Sequence, residues 1–159
     1  MRDWTAEAVR QVKDDPGAAH RLFPGAARLG GPSARMALLR QVDAETVAQL
    51  YRRGDAGERL AVLEALPELD LGDAAVPLVE DALRTNDARL VAAALGPYAA
   101  RWLDPHTYRH AVLKCVFMSI PLAGLDVRLD EELIAMLAAF AEERRAAGRE
   151  VPADVLERI

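Results

Sequence analysis

The chain holds one cysteine, Cys115, among 159 residues, and aromatics make up only 5% of it. A lone cysteine excludes an intramolecular disulfide. Its apolar neighbours point to a thiol packed as a small hydrophobe in a reducing compartment, the cytoplasm. Scarce aromatics with abundant alanine and leucine disfavour sheets, which draw on β-branched and aromatic side chains, and favour close helix–helix packing. The net charge is −5 and no basic stripe interrupts it, so the electrostatic footprint of a nucleic-acid binder is missing and an anionic membrane surface does not attract the chain. Long apolar runs are absent as well. The longest charge-free stretches, Leu90–Ala100 and Cys115–Leu125, reach about half of the ~20 residues that cross a bilayer, and each contains a proline, so no transmembrane segment is expected. The opening MRDWTAEAVRQVKDD alternates charged with apolar residues and lacks the continuous apolar core of a signal peptide. No GxSxG, GxGxxG, P-loop, HExxH or CxxC pattern is present, which leaves no phosphate cradle or zinc spacing to work with and no cofactor to expect.

What the chain does contain is helix punctuation. Ser33, Asp43, Asp55, Asp73, Asn86, Asp104 and Asp130 each precede an apolar-periodic run, where a side-chain oxygen can accept from an orphan backbone N–H. Asp55 is followed three residues later by Glu58, the spacing of a capping box, and Asp104 by Pro105, whose fixed φ suits the first helical position. Between these caps, Leu60/Leu63/Leu66, Val76/Val79/Leu83, Leu90/Val91/Ala94/Leu95 and Leu133/Met136/Leu137/Phe140 put apolar groups on one helical face. Short connections predict antiparallel neighbours. Pairing the helices after Asp43 and Asp55, Asp73 and Asn86, and Asp104 and Asp130 gives hairpins at roughly 30-residue intervals. The expected fold is therefore all-α, with hairpins stacked as a HEAT-like α-solenoid or gathered as an orthogonal helical bundle. One domain of 159 residues is expected: an irregular, proline- and glycine-broken capping region to residue 32, hairpins over 33–147 and a tail over 148–159.

The segment Tyr108 to Leu122, with Val112-Leu113-Lys114-Cys115, Phe117 and Pro121-Leu122 in that order, resembles the C-terminal part of EboA-domain proteins. Tyr51-Arg52-Arg53-Gly54-Asp55 leading into Glu58-Arg59-Leu60-Ala61-Val62-Leu63, and Met136-Leu137 through Glu142-Glu143-Arg144-Arg145, extend the resemblance over roughly Leu22 to Arg145. That family consists of helical proteins encoded beside a UbiA-like prenyltransferase and sugar-phosphate isomerase-like or hydrolase-like barrels, and it supplies no catalytic residues to carry over. The resemblance implies an accessory or adaptor protein in the making or export of a prenylated or otherwise apolar secondary metabolite, with the prenyltransferase and the barrel enzymes as partners. Homo-oligomerisation is left open.

Lys114 is the residue that stands out. From Ala111 to Leu122 it is the only charged side chain, in a helix whose apolar residues wrap nearly the whole circumference, as in a helix surrounded by others. Its ammonium reaches solvent or an acidic residue of a neighbouring hairpin, or it points into a concave pocket and meets an anionic ligand with Tyr98 or Tyr108 beside it. His106 and His110 are spaced i, i+4 after Asp104, so both imidazoles could face one metal or serve catalysis, yet no carboxylate cluster accompanies them and no metal is expected. His110 and Cys115 lie about 140° apart around one helix and cannot pair locally. Arg52 and Arg53 beside Tyr51, and Arg101 beside Trp102, form anion-binding dipeptides or solvated helix ends. Three readings follow: an adaptor without catalysis, a small-molecule carrier whose pocket is lined by Ala111–Ile120, and an enzyme using His106, His110 and Asp104. The ligand or partner candidates are Lys114, Tyr98, Tyr108 and His110.

Overall fold

Aspartates set the helix starts. The computed structural model describes residues 3–159, and Asp3 opens α1 (Trp4–Asp14) by accepting from the N–H groups of Thr5 and Ala6. Proline and glycine then break the chain into α2 (Ala18–Leu22) and α3 (Ala26–Gly30), so the region before Ser33 is a set of short helices. α4 (Ala34–Leu39) follows Ser33, whose hydroxyl makes no cap bond. Asp43 caps α5 (Ala44–Arg53) through the Thr46 N–H at 2.8 Å. Asp55 caps α6 (Ala56–Ala65) in a complete capping box: it accepts from Glu58 N–H at 2.9 Å while the Glu58 carboxylate accepts from Asp55 N–H at 3.0 Å.

Two expected caps are displaced. Asp73 lies inside a 3-10 turn, Gly72–Ala75, and α7 (Val76–Leu83) begins beyond it because Pro77, lacking an N–H, fits the first turn of the helix. α8 (Ala88–Ala94) is capped by Asp87 rather than Asn86, the carboxylate accepting from Arg89 N–H at 3.0 Å, where its charge also suits the helix N-terminus. α9 (Pro97–Trp102) and α10 (Pro105–Phe117) each carry proline at their start, and Asp104 caps α10 through Thr107 N–H at 2.9 Å. Asp130 caps α11 (Glu131–Ala146) through Leu133 N–H at 2.8 Å, and α12 (Ala153–Leu156) closes the chain. Every regular element among the described residues is helical, as expected, and none of these helices is long and apolar enough to cross a membrane.

The helices gather into two compact units, one ending at Ala82 and one running from Leu83 to Ile159. In the first, α1 packs on α2, α3 and α4, and α6 packs on α4 and α5. Val12, Phe23, Leu38, Leu63 and Leu66 are buried there, each large apolar side chain contributing about 1.5–3 kcal/mol. Gly30 permits the approach of α3 to α1: a Cβ at that position would stand 2.5 Å from Thr5 Oγ1 and 2.6 Å from a Trp4 ring carbon. The connection between α5 and α6 is tied by Arg59, which lies over the Tyr51 ring and donates to the carbonyls of Tyr51, Arg52 and Gly54.

In the second unit α10 is the organising helix, packed on α8 and α11, with Val112 and Cys115 wholly buried. α11 adds Leu133 and Leu137 to this core, and α12 packs both on α11 and on a 3-10 turn at Leu122–Gly124. Helices α10 and α11 end in the same way. At α11 Gly148 is left-handed, with φ 68°, and the N–H groups of Gly148 and Arg149 return to the carbonyls of Arg145 and Arg144. At α10 the left-handed position is Ser119, with φ 59°, and the N–H groups of Ser119 and Ile120 return to Val116 and Cys115.

Candidate functional site

Lys114 projects from α10 and donates through Nζ to the backbone carbonyls of Leu83 and, at 2.8 Å, Thr85. Among the described residues no carboxylate pairs with it; the partners are carbonyl oxygens that its charge-assisted bonds satisfy. Lys114 borders an open hollow of about 330 Å3 together with Leu83, His106, Thr107, His110 and Ala111. His106 and His110 are exposed there and their rings sit 4.4 Å apart, centroid to centroid. Asp104 is occupied by the helix start: the Thr107 hydroxyl, then the Thr107 N–H, hold its carboxyl below the usual carboxylate range. The arrangement brings Lys114, His106 and His110 to one face of α10, but neither tyrosine candidate lines this hollow.

Tyr108 is buried, and its hydroxyl accepts from Arg128 N–H at 3.0 Å, which fixes the return of the chain between α10 and α11. Arg109, one residue on, grips Asp130 with Nε at 2.9 Å and Nη2 at 2.7 Å and reaches Glu132 at 3.0 Å. The Arg109 hydrogen bond, followed by the Leu133 N–H, holds the Asp130 carboxyl below its usual range. Tyr98 is buried in α9, its ring 6.4 Å from Trp102. Arg101 lies over the Trp102 ring at 4.9 Å, and both residues are exposed at the end of α9. Cys115 is fully enclosed, and burial pushes its thiol up to about 11, where almost no thiolate is present near neutral pH.

A pocket that the sequence does not announce lies at the C-terminal end of α10. Val116, Ser119, Ile120, Pro121 and Ala123 form one side, Pro152, Ala153 and Asp154 the other, of an open groove of about 350 Å3 along which Ser119, Pro121, Ala123 and Ala153 are exposed. That volume lies within the usual range for small-molecule sites, and the lining is mostly apolar. Asp154 pins the two walls together by accepting from Leu122 N–H at 2.6 Å through Oδ2, and Arg158 braces α12 by donating to the Asp154 carbonyl at 2.6 Å. Leu122 and Val155, next to the lining residues in sequence, are wholly buried, so the walls are anchored in the core. The expected carrier pocket along Ala111–Ile120 is met here only at Val116, Ser119 and Ile120, the exit of that segment.

Beside this end of α10, Phe117 is 65% exposed. Its ring stands edge-on to Phe140 at 5.2 Å, and Arg144 lies over Phe140 at 5.8 Å. Glu143, Ala147 and Arg149 complete a shallow depression of about 390 Å3 around the two rings.

A family model described as metabolite traffic protein EboA matches residues 38–159 of the chain. No curated protein and no solved structure matches it.

Proposed function

The chain belongs to the EboA family of metabolite traffic proteins, and from that premise we propose that it holds a small apolar metabolite in the pocket at the end of α10 without acting on it chemically. The observation that supports this reading is the mostly apolar groove of about 350 Å3 walled by α10, the Leu122–Gly124 turn and α12. Its walls are fixed in place by the Asp154–Leu122 bond, which preorganises the site and lowers the entropic cost of binding. The chemistry-bearing side chains lie elsewhere: Cys115 is enclosed and protonated, and His110 faces His106 across an open surface. In this reading Lys114 and Tyr108 act through the fold, holding α10 and the chain that follows it. The carrier would work in the cytoplasm beside the enzymes that make or export the metabolite. The test is native mass spectrometry of the protein from its own host, followed by organic extraction. The expected result is a bound apolar molecule that is lost when Ala123→Trp fills the groove; equal retention by that variant would refute the site.

Exposed Phe117 favours a second role in the same reading, docking onto the UbiA-like prenyltransferase or a barrel enzyme of the same cluster. Co-expression with those enzymes, with and without Phe117→Ser, measures it. Retained association by the variant would remove Phe117 as the contact.

A further inference from the structure

Two polar side chains border the apolar pocket, Ser119 and Asp154. Asp154 commits Oδ2 to the Leu122 N–H at 2.6 Å, and its Oδ1 has no protein partner among the described residues. The Ser119 hydroxyl has none either, although the backbone holds this residue in the left-handed conformation at the pocket edge, with φ 59°. Among the described residues no lysine, arginine or histidine lines the groove. Its one charged group is therefore a carboxylate, unneutralised by any ion pair among the described residues.

We infer that the pocket selects an apolar molecule ending in a hydrogen-bond donor, an ammonium or a hydroxyl, and turns anions away. This rests on the proposed carrier role and names the cargo class for that same site. A donor that meets Asp154 Oδ1, or the Ser119 hydroxyl at the groove edge, replaces the water that acceptor would lose on binding, so the polar end of the ligand enters without leaving it unsatisfied. A carboxylate or phosphate brings a like charge against Asp154 and supplies no donor, which weakens binding from both sides. Consequently an apolar acid or phosphate ester must lose or mask its charge before it can be carried. The reaction that feeds the pocket is of the class that removes or caps an anionic group, or that creates an amine or an alcohol.

Four naphthalene probes of near-equal size test this by calorimetric titration: 1-methylnaphthalene, 1-naphthylmethylamine, 1-naphthalenemethanol and 1-naphthylacetate. The amine and the alcohol should bind at least tenfold more tightly than the acetate. Asp154→Asn keeps an amide oxygen for the Leu122 N–H while deleting the charge, and should reduce the gap between amine and acetate to less than threefold. Ser119→Ala should weaken the alcohol more than the methyl compound. Acetate binding as tight as amine binding in the unaltered protein overturns the inference, as does a tenfold gap that survives in a folded Asp154→Asn variant. If methylnaphthalene binds without any preference among the other three, only the cargo class fails; if none of the four binds, the carrier reading fails with it.

Discussion

Lys114 is joined to Thr85 by a hydrogen bond from its ammonium to the Thr85 carbonyl at 2.8 Å, with a second to the carbonyl of Leu83. A charge isolated in an apolar helix thus finds its outlet in backbone oxygen. Lys114→Met keeps the aliphatic stem and removes both bonds, so it should lower the unfolding free energy by about 1–3 kcal/mol, a typical cost of orphaning part-buried carbonyls. Urea titration measures it, and affinity for an apolar probe should be unchanged because Lys114 does not line the pocket. An equally stable variant would mean the two bonds contribute nothing.

Ser119 occupies at α10 the left-handed position that Gly148 occupies at α11. A residue with a Cβ pays about 1–2 kcal/mol there and glycine does not, so Ser119→Gly should raise stability by about 1 kcal/mol. The same change removes the pocket hydroxyl and should weaken an alcohol ligand. Stability and affinity moving in opposite directions is the expected signature, read by urea titration and calorimetry on one preparation; a loss of stability would show that the turn is not strained.

Gly30→Ala places a methyl group where Thr5, Trp4 and Ala34 leave less than 3 Å. Separating α3 from α1 to admit it should destabilise the protein by about 1–3 kcal/mol. Thermal unfolding of the variant, followed by circular dichroism, reads this directly. An unchanged midpoint would contradict so close an approach.

Acid should act through the helix caps. Asp43, held low first by Thr46 N–H, Asp55 by Glu58 N–H, Asp104 by the Thr107 hydroxyl and Asp130 by Arg109, all have carboxyls depressed in the folded state. A depressed carboxyl contributes its stability fully above its unfolded value of about 3.9 and loses it as pH falls through the lower folded value. Stability should therefore be flat through the weakly acidic range and decline below about pH 4. Asp130→Asn should make that decline shallower. Greater stability at pH 3 than at pH 6 would contradict the assignment.

Helix starts were legible wherever the signal is local. Asp43, Asp55, Asp104 and Asp130 bond to N–H groups three residues along, a distance that a sequence displays directly. Asp73 misleads because Pro77 offers a competing start, and Asn86 because a stronger acceptor stands next to it at Asp87. Lys114 stands out in the sequence through its isolation, but its partners lie 29 and 31 residues away and are backbone atoms, which no residue pattern encodes. The pocket was illegible for the same reason, since Ser119–Ala123 and Pro152–Asp154 meet only after α11 intervenes. One clue was present: a serine followed by Ile120 and Pro121, where a helix must stop and the chain must turn.

The most direct measurement is a methyl-resolved NMR titration with 1-methylnaphthalene. If the pocket at the end of α10 is the metabolite site, the methyl signals of Val116, Ile120, Ala123 and Ala153, which line it, shift together along one binding curve, while Leu83 and Ala111, which border the histidine hollow, stay in place. Shifts confined to Leu83 and Ala111, or no saturable shift at the four pocket methyls, would contradict the account.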